Sequence, residues 1–395
     1  MNAKDAQLDR SALWSSYVDD DYVLQLRSYV EQNITPEAVR IDKEDYYPVD
    51  LIKRLSTQGY NSVSMEERFG GQGLGYQYAA AIFEEVSVAS AAVGISLITI
   101  FQAQTMIAHF GDESLKQRYL PEFAKGLITS YALTEVAHGS DIRQLDTKAW
   151  KEQDDWVIRG EKHFITSGSA AELFIILAQT EIGVSVFAIP RDSKGVSSYE
   201  GGNSATFGLR NGPHVNVVFK DVRVPADHLI GVEGKGVRQA VMVLNHSRIL
   251  AGAVSLGIAR AAFEGALVFA RDRRAFDQHV LEFQGIQWYF ANMLTEIDAA
   301  RLLVYRAALA LDRNEQPARW GSEAKLKASE VATDVASRAA QICGAYGIME
   351  EAPFGRYLRD AKAYEVAGGS SEILKNTIGK FLMPVAGLDT VKRKT

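Results

Sequence analysis

The feature that most constrains this chain is a double change in hydrophobic period. Between about residues 20 and 130, apolar side chains recur at three and four, in Tyr22–Asn33, Pro48–Thr57, Tyr76–Ala89, Ala92–His109 and Glu113–Lys125. From about 130 to 232 the period falls to two, in short β-rich runs at Trp156–Arg159, Leu173–Gln179, Ser185–Pro190 and Asn216–Lys220. From about 236 to 383 the helical period returns in long segments, Gly236–Arg271, Leu281–Asp312 and Ser322–Gly344. A β block between two helical blocks predicts an α+β chain, not the alternating strands and helices of a doubly wound sheet. The domain bounds read 1–129, 130–235 and 236–395.

That order disposes of one decoy. Gly71-Gln-Gly73-Leu-Gly75 is glycine-rich enough for a dinucleotide loop, but it follows no clear strand. The acidic residue expected some twenty positions later is replaced by the apolar Ala91–Leu97. An inter-helix loop is the expectation. Lys and Arg total 43 against 49 Asp and Glu, a net charge of −6, so no basic excess offers itself to nucleic acid. One cysteine, Cys343, excludes an intrachain disulfide and any multi-cysteine metal site. The seven histidines never fall at i, i+4, so no metal is expected. No secretory signal is evident. The longest apolar run, Ala91–Ile100, is too short to span a bilayer, so a cytoplasmic protein with no membrane partner is expected.

Two segments concentrate chemistry. Tyr131-Ala-Leu-Thr-Glu-Val-Ala-His-Gly-Ser-Asp141 enters a turn rich in hydroxyls and acids. Such a turn can aim backbone N–H groups and hydroxyls at an anion or polar ring edge, and equally can simply cap a strand. Trp156-Val-Ile-Arg-Gly-Glu-Lys-His-Phe-Ile-Thr-Ser-Gly168 reads as strand, tight turn and strand. It is either an ordinary hairpin or a flat apolar face whose Thr166 meets a planar heterocycle.

With three further motifs, these segments resemble the acyl-CoA dehydrogenase family of flavoproteins. The further motifs are Phe219-Lys-Asp-Val-Arg-Val-Pro225, then Arg271-Asp-Arg-Arg-Ala-Phe276 with Phe283-Gln284, then Arg359-Asp-Ala-Lys362 with Gly369-Ser-Ser-Glu-Ile373. The resemblance implies a helical N-terminal domain, a β-barrel-like middle domain, a C-terminal four-helix bundle, and a homotetramer built as a dimer of dimers. It implies FAD between the β domain and the bundle. Tyr131, Leu133, Thr134, Gly139 and Ser140 would line flavin and pyrophosphate, and Phe164, Ile165 and Thr166 would pack the isoalloxazine. Arg273, Phe276, Gln284, Gln341 and Gly344 would meet a neighbouring subunit's cofactor, and Ser370 and Glu372 would close over the flavin. Asn245 and Arg248, with Ser140 and Gly369, match substrate positions along the thioester's arm.

The resemblance also implies a catalytic carboxylate that this chain lacks. The family commonly places a Glu where Tyr364-Glu-Val-Ala-Gly-Gly-Ser-Ser-Glu372 has Gly368. Other members place it one residue before the bundle arginine, where this chain has Ser247. No acid lies between Val86 and Gly111, the helix that walls the acyl pocket. Glu365 is the nearest substitute, if a loop lets it turn inward. An Ala-Gly-Gly sequence here is similar to that of the 3-sulfinopropionyl-CoA desulfinases, which need no such base. They use a pocket-wall arginine, but Ala91-Ala-Val-Gly-Ile95 holds no cation. Asp277 stands where the family usually has Gly, and Val136 and His138 depart from the first signature. His138 reads either as a ligand partner or as a satisfied loop histidine. The function expected is FAD-dependent α,β-dehydrogenation of an acyl thioester, on coenzyme A or a carrier protein, with an electron-transfer flavoprotein as acceptor. The alternatives are a base-free flavin reaction (elimination or monooxygenation) and a non-catalytic FAD-holding subunit of a hetero-oligomer.

Overall fold

The computed structural model describes residues 18–201, 205–315 and 317–386; the basic run Val391–Thr395 lies outside them. Six helices come first: α1 (Asp20–Asn33), α2 (Ala38–Glu44), α3 (Val49–Thr57), α4 (Tyr76–Ala89), α5 (Ala91–Phe110) and α6 (Glu113–Ala124). Ser90 and Asp112 accept hydrogen bonds from Val93 N (3.3 Å) and Leu115 N (2.8 Å), so short polar side chains start α5 and α6. The glycine-rich segment before α4 is an inter-helix loop, as expected.

The middle block is a mixed sheet of β1 (Thr129–Ala132), β2 (Lys148–Glu152), β3 (Asp155–Ile165), β4 (Leu173–Gln179), β5 (Val184–Pro190), β6 (Val196–Tyr199), β7 (Val215–Pro225) and β8 (Leu229–Ile230). Its order is β6-β7-β3-β2-β4-β5-β8, with β1 parallel to β4. One expectation is corrected. Trp156–Gly168 is not a hairpin, because Arg159-Gly160 is no turn and β3 runs unbroken to Ile165. Gly160 (φ +153) sits at a register irregularity opposite β7. A Cβ there would fall 2.5 Å from the Thr147 Cα, so glycine admits the neighbouring backbone rather than reversing the chain. Trp156, Phe174, Phe187 and Phe219 fill this domain's own core.

The last block holds α7 (Gly236–Asp272), the short strands β9 (Arg274–Ala275) and β10 (Gln278–His279), then α8 (Gln284–Asp312), α9 (Ala318–Cys343), α10 (Phe354–Val366) and α11 (Ser371–Val385). Helices α7 to α10 form the bundle, with α11 against α9 and with α4 and α5 laid against α7. Small residues permit this: a Cβ on Gly257 would lie 2.5 Å from the Glu84 carbonyl oxygen. Buried ions lock the contact. Arg260 donates to Glu84 (2.8 Å) and Glu85 (2.6 Å), Arg301 to Glu84 (3.0 Å) and Arg27 to Glu85 (2.9 Å). Helices α5 and α7 are long and apolar enough to cross a membrane, which counting unbroken apolar runs missed. However, 89% and 72% of their apolar windows are buried in the protein, as in core helices.

Candidate active site

The β domain offers a rigid, partly open face. Lys162, with no solvent exposure, donates to Glu135 Oε1 (2.7 Å) and to the Leu133 carbonyl (3.3 Å). Glu135 also accepts from Asp146 N (2.6 Å) and Thr147 N (3.1 Å). Burial pushes the Lys162 amine down to about 8, although Glu135 opposes the shift. Burial alone would raise the Glu135 carboxyl, but Lys162 and the two amide bonds hold it below the usual range. The polar turn is therefore anchored from beneath, and His163 N joins Thr134 O (2.8 Å) beside it. Thr134 and Leu133 are half-buried there, while Gly139 and Ser140 are exposed. His138 Nε2 lies 3.7 Å from Asp146 Oδ1. Glu135, His138 and Asp146 bring ligand atoms within 4.8 Å of one another, but Lys162 already neutralises Glu135.

At the end of β3, Phe164 adopts φ +56 and leaves its ring 58% exposed, while Ile165 is buried beneath. Ser130 Oγ holds the Thr166 carbonyl at 2.7 Å. The Thr166 hydroxyl lies 2.9 Å from His214 Nε2. Nothing in the sequence singled out His214. The signal was register: Ile165 pairs with Val215, so the residues just beyond, Thr166 and His214, face each other. Burial pushes this imidazole down to about 4, so it is neutral at pH 7. The Tyr131 hydroxyl is buried without a partner among the described residues, and burial raises its pKa.

The bundle contributes the turn between α10 and α11. Gly368 (φ +72) and Gly369 (φ +108) take a left-handed backbone that other residues adopt at a cost. A Cβ on Gly368 would meet nothing within 4 Å. Lys325, fully buried, pins the turn by donating to the Gly369 carbonyl (2.8 Å) and the Glu365 carbonyl (3.2 Å). Ser370 caps α11, accepting from Ile373 N (3.5 Å), and Glu372 is exposed in its first turn. From α7, Arg248 donates to Asn245 Oδ1 (2.9 Å) and Ser322 Oγ (3.3 Å). Ser247 accepts from Gln102 of α5 (3.2 Å).

Glu365 does not stand on a loop, as its candidacy required. It lies in the last turn of α10, where its carboxylate accepts from Lys362 (2.7 Å). Burial raises its pKa, but Lys362 and Thr333 outweigh that and hold it low. Arg273, Phe276, Gln284, Gln341 and Gly344 are exposed, with Phe276 90% so. Phe276 and Asp277 both have positive φ, which explains why glycine suits the second position; here the Asp277 carbonyl instead accepts from Arg274 (2.7 Å). A separate cleft of about 390 Å³, lined by Arg27, Glu85, Arg260 and Arg356 among others, contains none of these residues.

A helical layer, a mixed sheet and a helical bundle, with a polar turn and an exposed aromatic on the sheet domain and a glycine turn in the bundle, are the architecture of a three-domain flavin oxidoreductase. The chain belongs to the acyl-CoA dehydrogenase family, whose members are FAD-dependent. Models of that family's N-terminal, middle and C-terminal domains match residues 20–127, 130–222 and 234–383. An acyl-CoA dehydrogenase of Bacillus subtilis is 35% identical over 91% of this chain and 96% of its own. Butyryl-CoA dehydrogenase of Megasphaera elsdenii is 32% identical over 92% of this chain and 98% of its own, with a TM-score of 0.89. The prolyl acyl carrier protein oxidase AnaB is 27% identical over 92% of this chain and 98% of its own, with a TM-score of 0.88.

Proposed function

We propose that FAD lies between the end of β3 and the α10–α11 turn, and that the chain acts there on an acyl thioester. The observation that carries this is the exposed Phe164 ring beside the Thr166 hydroxyl, on a strand end fixed to the anchored polar turn. The unpartnered Tyr131 hydroxyl fits a neighbouring polar ligand. Bound FAD supplies the hydride acceptor; the residues supply orientation. Thr134, Thr166 and the backbone of the turn position the ring, and Phe164 covers it. Asn245 and Arg248 brace the thioester arm. The reaction proposed is α,β-dehydrogenation, with an electron-transfer flavoprotein as acceptor, in a cytoplasmic homotetramer. AnaB's name supports keeping a carrier-protein thioester beside coenzyme A as donor. A second reading, a base-free flavin reaction, is favoured by one observation: Gly368 and Ser247 offer no carboxylate, and Lys362 already engages Glu365. Purified protein should be yellow, hold one FAD per subunit without a covalent link, and gain thermal stability from added FAD. A folded, colourless protein that FAD does not stabilise contradicts the proposal.

A further inference from the structure

Among the described residues the Thr166 hydroxyl has a single hydrogen-bond partner, His214 Nε2 at 2.9 Å. The segment that carries His214 is held on both sides. Asn211 Nδ2 donates to Ser96 Oγ of α5 (2.9 Å), Gly212 N donates to Asp45 Oδ1 (3.1 Å), and Val215 pairs with Ile165. Thr166 is fixed as well, since Ser130 Oγ donates to its carbonyl (2.7 Å). Burial keeps the imidazole neutral at pH 7, so it has one proton to place on two nitrogens. The other nitrogen, Nδ1, is buried with no partner among the described residues. A proton there would be a buried donor without an acceptor, the rarer kind of orphan in folded proteins. On Nε2 the proton is used, because Nε2–H then donates to Thr166 Oγ1. A hydroxyl that accepts from the imidazole keeps its own hydrogen for a different acceptor. The described residues supply none, so that hydrogen is left for a ligand.

We infer that His214 is a positioning residue, which fixes the Thr166 hydroxyl as a hydrogen-bond donor to an acceptor atom on the edge of the flavin ring. This inference rests on the FAD reading above, and deepens it by giving Thr166 one polarity. Without the imidazole the hydroxyl rotates freely, and meets the ring with a lone pair as readily as with its hydrogen. The net worth of one neutral hydrogen bond corresponds to roughly two- to tenfold in an equilibrium constant.

The test is a double-mutant cycle read by FAD affinity and by the visible flavin spectrum, neither of which needs turnover. Thr166→Val removes the hydroxyl and His214→Leu removes the imidazole. Each alone should weaken FAD binding by roughly two- to tenfold and shift the long-wavelength flavin band. Combined with Thr166→Val, His214→Leu should cost nothing further, because the group through which it acts is gone. His214→Gln, whose amide N–H can stand in for Nε2–H, should recover most of the affinity and the wild-type band. Additive losses in the double variant, or a His214→Gln protein no better than His214→Leu, make His214 a packing residue and overturn the inference, while FAD binding by the wild type leaves the FAD reading intact. If the folded wild type binds no FAD, both fall. Should His214→Leu fail to fold, the wild type still decides the matter. Neutron diffraction from the FAD-loaded protein in D2O should place deuterium on His214 Nε2 and leave Nδ1 bare, and deuterium on Nδ1 overturns the inference.

Discussion

A buried pair holds the polar turn after β1 in place. Lys162 and Glu135 are both almost free of solvent, and Glu135 gathers two backbone amides while Lys162 reaches the Leu133 carbonyl. Removing one member leaves the other charged in a dry site. Glu135→Ala should therefore destabilise the protein by about 3–5 kcal/mol, read as a lowered thermal midpoint and FAD loss at lower temperature. Replacing both by apolar residues of similar volume should cost much less. Gly368 is the second decisive residue. Its φ of +72 means that Gly368→Glu strains the backbone by about 1–2 kcal/mol. That is less than the roughly 10²–10⁴-fold, or about 3–5 kcal/mol of barrier, that a positioned base contributes, so the substitution should still accelerate flavin reduction by saturated acyl-CoA. Stopped-flow bleaching of the flavin band measures this.

Helix α4 is tied to α7 and α8 by carboxylates that must stay ionised. Burial raises the Glu85 pKa, but Arg260 and Arg27 outweigh it and bring it down to about 2. The stability this contributes is complete above the unfolded value near 4.5 and disappears as pH falls toward 2. A shift of that size is worth about 3 kcal/mol. Near-ultraviolet dichroism should show tertiary structure lost over that window, and Glu85→Gln should weaken the protein at pH 7 while flattening the acid transition. None of this network was legible in the sequence. Period located α4, with bounds matching the structure, but cannot say which acid meets which arginine some 175 residues on. The strand Leu173–Gln179 and the long bundle helices were equally legible, because their apolar periods are unbroken. Gly160 was misread because a glycine after a charged residue signals a turn locally, whereas its reason here is the approach of Thr147 from another strand. The motifs Tyr131–Asp141 and Phe164–Thr166 were legible as separate segments, and the His163 N to Thr134 O bond joins the two strand ends. Their partner His214 was not legible, since register alone brings it there.

At the scale of the whole molecule, several apolar and motif residues of the last block are exposed. Arg273, Phe276, Gln284, Gln341 and Gly344 are exposed together with Trp288, Leu302 and Tyr346. If a second copy covers the first group across its FAD, cofactor and assembly are linked. Light scattering should give a tetramer with one FAD per subunit, and dilution should release FAD and dissociate the oligomer together. A monomer that retains FAD contradicts this. The central claim is an FAD enzyme for acyl thioesters from which the usual catalytic carboxylate is missing. Anaerobic titration of the yellow protein with straight-chain saturated acyl-CoA tests it most directly. The account predicts a perturbed flavin spectrum on binding, slow bleaching in the wild type, and faster bleaching in Gly368→Glu. Bleaching at the family's normal rate, unaffected by Glu365→Gln, would contradict it, because some other group would then be taking the α-proton.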